Sequence, residues 1–388
     1  MVTLIKNGTV YSPEYMGEQD ILIIGNKIAE VKKEIGSCSI FSAIEVIDAT
    51  GKLVVPGFID QHVHLIGGGG ETGFNSRTPE LALSKIIEAG VTTVVGLLGT
   101  DGFARHIESL YAKSKGLEKE GLTTFMHTGS YTIPSTTITG SVDRDILFID
   151  KVIGVKVAIS DHRSSHCTGE ELTRLASQAR VAGMLSDKPG MVHVHIGRGK
   201  DQLNMILDIV ENTNIPITQF VPTHVTRTRE LFEQAKQFVR LGGRIDITTY
   251  SEFTSTNDLK PSKAVMECIK EGLPIESITV SSDGNGSIPK YDSTGKIVGM
   301  GVGNLNASHL FLKNLVQEEG ADLSVALKFL TVNVAKVLDI FPEKGKLQAG
   351  SDGDLLILNK ELNIDTVYAM GKKMMEHGEV MVKGTFED

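Results

Sequence analysis

Residues 56–64 read PGFIDQHVH. The run is apolar at Phe58, Ile59 and Val63, yet it carries Asp60, His62 and His64. On an extended strand residues i and i+2 face the same side, so the two imidazoles project together into one space. That is either a costly packing choice or half of a metal site, and the surrounding chain decides between them.

Downstream, apolar strand patterns alternate with helical ones from about residue 57 to 341. The strand candidates are FIDQHVHL (58–65), TTVVGLLGT (92–100), TTFMHTGSYT (123–132), VIGVKVAIS (152–160), MVHVHIG (191–197), ITQFVPTHV (217–225), RIDITTY (244–250) and ITVSSDG (278–284). The pieces between them have helical periodicity, as in TPELALSKIIEAG (78–90), with Pro79 near the helix start and Gly90 after its end. Eight β-α units predict an α/β fold, a (β/α)8 TIM-like barrel, with a doubly wound open sheet as the competitor. A barrel places its reactive groups at the C-terminal ends of its strands. His62, His64, Thr100, Tyr131, His195, His224 and Asp283 all fall there, and only Lys156 sits deeper in its strand.

The two ends of the chain have a different texture. Short apolar runs separated by Asn-Gly, Gly-Asn and Thr-Gly pairs fill residues 4–55, and GDLLILNKELNIDTVYAMGKKMMEHGEV (353–380) repeats the style. We expect both termini to pair into one small β-sandwich, giving a discontinuous domain from residues 1–56 and 342–388 around a barrel at 57–341.

The 388 residues are 40% hydrophobic, enough for a large core. A net charge of -9 and a pI near 5.7, with no block of Lys or Arg, argue against nucleic acid or an anionic membrane as partner. No leader pattern or 18-residue apolar run is evident. Cys38, Cys167 and Cys268 are far apart and form no C-x-x-C pair, so neither a disulfide framework nor a thiolate metal site is expected. A cytoplasmic protein acting on small molecules is the expectation.

The strand-end residues then divide by chemistry. Lys156 is flanked on both sides by apolar β-formers, where an unpaired ammonium loses its proton. Its stem either crosses the barrel to a carboxylate, or its neutral amine captures carbon dioxide as a carbamate able to bridge two metal ions. His193 and His195 both point inward by period, and the one nearer the rim, His195, is the better ligand, leaving His193 to pack or to support. Asp60 either orients an imidazole or caps backbone. Asp283, in SSDGNGS, is either a turn cap or a ligand that also manages protons. His106, His127, His162, His166, His309 and His377 lack such a setting and are expected to be structural or solvated. Imidazoles with carboxylate oxygens and no thiolate suit zinc, with manganese, cobalt or iron also compatible.

This set resembles the amidohydrolase superfamily, which has H-x-H on its first barrel strand, Lys on the fourth, His on the fifth and sixth and Asp on the eighth. GKLQAGSDGDLLIL also looks like that superfamily's small β-sandwich. The segments DQHVHLIGGGGETG, VVGLLGTD, TGSYTIPSTTITGS, GVKVAISDHRSS, PTHVTR and SSDGNGS resemble its isoaspartyl dipeptidase family over essentially the whole chain. The resemblance implies two zinc ions held by His62, His64, carbamylated Lys156, His195, His224 and Asp283, and bridged by the lysine carbamate and a hydroxide. It implies substrate contacts from Gly69, Gly70, Glu71, Thr100, Tyr131, Arg163, Arg227 and Ser287, with Asp283 as general base and acid and Tyr131 polarising the carbonyl. It further implies a homo-oligomer, an octamer. An isoaspartyl dipeptide carries one ammonium and two carboxylates, which suits Glu71 and the forks of Arg163 and Arg227. The alternatives are a cyclic-amide hydrolase of dihydroorotase or hydantoinase type, which would use the same metal set, and a scaffold protein that binds no metal.

Overall fold

A computed structural model of the chain describes residues 2–36, 44–250, 259–291 and 297–387. The predicted barrel strands are all present: Phe58–Val63 (β6), Val91–Gly96 (β7), Thr123–Gly129 (β8), Val152–Ile159 (β9), Met191–Ile196 (β10), Phe220–Thr223 (β11), Ile245–Thr248 (β12) and Ile278–Ser281 (β13). They follow five N-terminal strands, Val2–Tyr11 (β1), Tyr15–Ile24 (β2), Lys27–Lys32 (β3), Glu45–Asp48 (β4) and Leu53–Pro56 (β5). A hairpin, Ser287–Tyr291 (β14) and Ile297–Val302 (β15), comes next, then Leu355–Leu358 (β16), Ile364–Ala369 (β17), Lys372–Glu376 (β18) and Glu379–Val380 (β19).

Strands β6 to β11 form one six-stranded sheet, parallel throughout, and β12 and β13 form a parallel pair. Side chains and a single bridge join the two pieces. At one seam Thr223 Oγ1 donates to Asp246 Oδ2 (2.7 Å), and at the other Val63 bridges Gly284 and the His64 N–H donates to Gly284 O (2.9 Å). Ile59, Val95, Phe125, Ile153, Met191 and Val221 come from successive strands and pack with the helix Val332–Val337 into an apolar floor. Above that floor the inward positions turn polar, with Gln61, Asp246 and Thr279 hydrogen-bonded together. The barrel is thus greasy at the bottom and prepared for chemistry at the top.

The termini meet as expected. β5 pairs antiparallel with β16, so the first and last segments share a nine-stranded sheet, with Ile5, Val10, Ile21, Val54, Leu355, Ile357 and Tyr368 in a core of its own. The helix expected over residues 78–90 is shorter, Leu83–Glu88, because Thr78 and Leu81 are engaged in backbone hydrogen bonds to Gly68 and Leu65. Gly90 does close it, at φ +72°. Cys167 and Cys268 are free, and Cys38 lies outside the described residues. Among the described residues no helix is long and apolar enough to cross a membrane.

Candidate active site

His62, near the end of β6, and His64, just beyond it, both direct Nε2 at Asp283 Oδ1, at 3.3 and 3.1 Å. Asp283 follows β13 at φ +53°, and His224 follows β11 at φ +64°. Non-glycine residues seldom adopt this left-handed conformation, and three strand exits at one rim do so here, Ser160 after β9 being the third. Lys156 rises from the middle of β9, wholly buried, with Nζ 3.4 Å from His62 Nε2. His195, at the end of β10, stacks edge-on to His224, with ring centroids 4.6 Å apart. The six predicted ligands therefore converge.

The second nitrogen of each ring fixes which one is available to a metal. His62 Nδ1 is 3.0 Å from His193 Nε2, His224 Nδ1 is 2.7 Å from Thr248 Oγ1, and His195 Nε2 is 2.8 Å from Asp161 Oδ2. That leaves His62 Nε2 and His224 Nε2, together with His195 Nδ1, whose one neighbouring hydroxyl, that of Tyr131 at 2.7 Å, would have to give way to a metal. Burial drives His62, His195 and His224 well below the ordinary imidazole range, aided by neighbouring cationic groups, so their lone pairs are free of protons. Burial likewise pushes the Lys156 amine down to about 7. Neutral imidazoles around a carboxylate and a deprotonable amine fit a metal pair.

A second candidate triad, His62, His193 and Asp246, lies deeper. Its carboxylate is already occupied: Oδ1 accepts from Gln61 and Thr279, and Oδ2 from Thr223 and Ser281. The first triad, His62, His64 and Asp283, has the freer carboxylate. His193 supports His62, and Asp60 accepts from the backbone N–H groups of His62 and Ser282, which makes it a cap and not an imidazole partner.

The predicted substrate residues gather beside this cluster. Glu71 accepts from the Ser287 hydroxyl at 3.0 Å, from Arg163 Nη1 at 3.2 Å and from Thr100 Oγ1 at 3.4 Å. Gly69 and Gly70 lie in the preceding turn at φ +81° and +99°, and a Cβ on Gly69 would sit 2.3 Å from Ser76 O, so only glycine fits there. Tyr131, beyond β8, places its hydroxyl 2.7 Å from His195 Nδ1, and burial raises its pKa above the usual phenol range, which keeps it a donor. Arg227 Nη1 donates to Ile196 O (2.8 Å) and lies 2.9 Å from His195 Nε2.

Two residues escaped the sequence reading. Buried Arg105 donates to the carbonyls of Ile66, Gly68 and Thr78 and so shapes the glycine-rich loop that carries Glu71. Nothing in its sequence context marks it. Asp161, inside the quoted GVKVAISDHRSS, accepts from Arg163 and His195 at once. Burial alone would raise this carboxyl, but those hydrogen bonds outweigh it and hold it far below the usual range. Its position directly after a barrel strand was the available signal. His127, expected to be structural or solvated, is fully buried on β8 and stacks on His193, 5.3 Å between centroids.

A family model for the amidohydrolase family matches residues 53–385. The chain belongs to the amidohydrolase family. Amidohydrolases are in general binuclear metal-dependent enzymes, which agrees with the donor set above. A crystal structure of a β-aspartyl dipeptidase from Fervidobacterium islandicum AW-1, in complex with β-Asp-Leu, is 44% identical with a TM-score of 0.92, covering 98% of this chain and 97% of that one. A D-hydantoinase from a Thermus species shares the fold, with 17% identity and a TM-score of 0.73 over 100% of this chain and 98% of that one. Among curated relatives, a dihydroorotase of Listeria monocytogenes serotype 4b is 25% identical over 98% of this chain and 95% of its own length. The dihydroorotases of Staphylococcus epidermidis match at 40% identity over 97 residues only, 25% of this chain and 22% of theirs.

Proposed function

We propose that this amidohydrolase is a zinc-dependent dipeptidase that hydrolyses the β-linked amide of isoaspartyl dipeptides. The observation that carries the reading is Glu71, held by Ser287, Thr100 and Arg163 immediately beside the His, Lys and Asp cluster. A carboxylate so placed suits a substrate with a free amine, which cyclic amides such as hydantoin and dihydroorotate lack. The 44% identity to a β-aspartyl dipeptidase over nearly the full length supports the same choice.

His62, His64, Lys156, His195, His224 and Asp283 would hold two zinc ions. The neutral Lys156 amine adds to carbon dioxide, forming an N–C bond and releasing one proton, and the resulting carbamate anion offers two oxygens where the free lysine offers one nitrogen. When bound, the metal pair supplies Lewis-acid activation of water and of the scissile carbonyl. Glu71 binds the substrate ammonium, and Arg163 and Arg227 grip the leaving residue's carboxylate. Gly69, Gly70, Thr100 and Ser287 line the same pocket. Tyr131 donates its hydroxyl proton toward the oxygen on which charge develops. Asp283 accepts a proton from the attacking water and returns it to the leaving amine.

The division into a barrel at 57–341 and a β-sandwich from 1–56 and 342–388 belongs to this proposal, supported by the β5–β16 pairing. So do a cytoplasmic location and an octamer. Val181, Met184 and Leu185 stand exposed at helical spacing on Gly169–Ser186, which supports self-association, and analytical ultracentrifugation tests the number.

The deciding assay offers zinc-loaded protein isoAsp-Leu, Asp-Leu, hydantoin and dihydroorotate. Turnover of isoAsp-Leu alone is expected, and preferential turnover of either cyclic amide would reject the reading. Asp283→Asn is expected to lose at least about a thousandfold in kcat, roughly 4 kcal/mol of barrier, while keeping its zinc. Near-normal turnover in that variant would remove Asp283 from its role.

A further inference from the structure

We infer that Asp161 is a positioning residue that ties the metal-ligand side of the site to its substrate-gripping side. One carboxylate orients His195 and, at the same time, fixes which edge of Arg163 a substrate can reach. The inference rests on the dipeptidase reading and deepens it by assigning the leaving residue's carboxylate to the remaining edge of Arg163.

The acceptor count carries the argument. Oδ1 accepts from the Arg163 backbone N–H and from Nε, both at 2.9 Å. Oδ2 accepts from Arg163 Nη2 and from His195 Nε2, both at 2.8 Å. Four donors fill the roughly four lone-pair positions of an ionised carboxylate. Arg227 Nη1 adds a second cation at 3.9 Å. The side chain of Asp161 is 4% exposed, so water does not compete for these bonds.

Each half has a distinct consequence. On the His195 side, a carboxylate accepting from Nε2–H fixes the tautomer and turns Nδ1 toward the cavity, where the Tyr131 hydroxyl meets it at 2.7 Å. On the Arg163 side, the Nε/Nη2 edge is consumed in a fork on Asp161, leaving Nη1, which reaches Glu71 at 3.2 Å. The guanidinium therefore meets a ligand with its outer end and in a set plane. Its Cζ lies 5.4 Å from the Tyr131 ring centroid, which restrains that plane from one side.

The backbone around Asp161 is built for close approach. Ser160 turns out of β9 at φ +54°, and the loop after β10 comes so near that a Cβ on Gly197 would lie 2.5 Å from the Asp161 Cβ and 2.2 Å from Ser160 O. The Gly197 N–H donates to Ile159 O and that of Gly199 to Ser160 O, at 3.1 and 2.7 Å. A longer or wider side chain at 161 has no room to slide away. Asparagine keeps the size but exchanges one acceptor oxygen for a donor that faces other donors.

The test compares wild type with Asp161→Asn on two substrates, isoAsp-Leu and isoAsp-leucinamide, the second lacking the leaving residue's carboxylate. Zinc retention is measured beside them by chelator competition. Removing a partner of a metal ligand costs about 10–100-fold in affinity, so zinc should be lost to chelator at about tenfold lower concentration or less. With zinc held saturating, KM for isoAsp-Leu should rise at least about tenfold and KM for the amide less than about threefold, since only the first uses the Arg163 edge. Equal changes for both substrates, unchanged KM, or unchanged zinc retention would each overturn the coupling. Asp161→Ala, which adds no bulk and removes both acceptor oxygens, replaces the variant if Asn does not fold, with the same two readouts. If the wild type itself leaves isoAsp-Leu uncut, the dipeptidase reading falls, and the zinc competition alone decides whether Asp161 holds His195.

Discussion

Among the described residues Lys156 and Lys236 are the two most deeply buried lysines, and they meet opposite surroundings. Lys236, on the helix Arg229–Arg240, is 2% exposed and has Glu267 and Glu271 oxygens at 2.6 Å and a Glu233 oxygen at 3.0 Å. Its pKa is raised, because the three glutamates outweigh the desolvation that would lower it. Lys156 is 0% exposed, and among the described residues no carboxylate lies within ion-pair distance of it. Its amine is pushed down to about 7. Burial of a lysine is therefore no sign of function by itself. What separates the reactive amine from the structural ammonium is whether the fold provides the compensating charge.

The hardest test of that contrast is to delete both ammonium groups. Lys156→Met should lose metal and at least about a thousandfold in turnover, near 4 kcal/mol, whereas Lys236→Met at matched folded concentration should stay within about twofold of wild type. Metal analysis and kcat on the same preparations decide it. A Lys156→Met protein that keeps both metal and rate would erase the distinction.

Two tyrosines repeat the comparison at smaller scale. Tyr131 Oη is engaged with His195, while buried Tyr368, in the terminal sheet, has a hydroxyl with no hydrogen-bond partner among the described residues. Tyr131→Phe should lower kcat by about a hundredfold with KM changed far less, as expected for one donor aimed at a developing oxyanion. Tyr368→Phe should leave kcat alone and be neutral or slightly stabilising, because it removes an unsatisfied buried hydroxyl. A large rise in KM with kcat intact for Tyr131→Phe would reassign that residue to binding.

Lys236 should instead show itself in stability. The three glutamates around it remain 29–49% exposed and can take up water once the ammonium is gone, so the loss stays below that of a sealed pair, about 1–2 kcal/mol. Thermal melts of Lys236→Met should fall by a few degrees, and an unchanged melt would make the cluster ornamental.

The strand-to-strand plan and the convergence of the proposed ligand set were legible because each rests on local pattern. A strand such as VIGVKVAIS declares its burial through Val and Ile on both faces, and His62, His64, Lys156, His195, His224 and Asp283 are conspicuous polar interruptions of such runs. The two readings left open for Asp60 needed the fold, since its partners include Ser282, 222 residues away. Asp161 and Arg105 were missed for the same reason. An Asp after a strand looks like any turn residue, and its significance lies in His195, 34 residues on. The helix over residues 78–90 came out short because loop contacts to Gly68 and Leu65 override local propensity.

The smallest effect expected falls on a glutamate that the structural lysine shares with Arg229. Hydrogen bonds from Arg229, with further help from Lys236, hold Glu267 at about 2 from an ordinary value of 4.5. A carboxylate depressed on folding adds stability above its unfolded pKa, and that stability is lost as pH falls through the folded value. The window thus runs from about pH 4.5 down to about 2, with Glu267 still 29% exposed and its contribution discounted accordingly to about 1 kcal/mol. Glu267→Gln should melt about 2 °C below wild type at pH 6–7, and the gap should narrow steadily below pH 4.5. A gap that instead held constant to pH 3 would mean that Glu267 acts through packing and not through charge, and the compensation of Lys236 would have to come from Glu271 and Glu233.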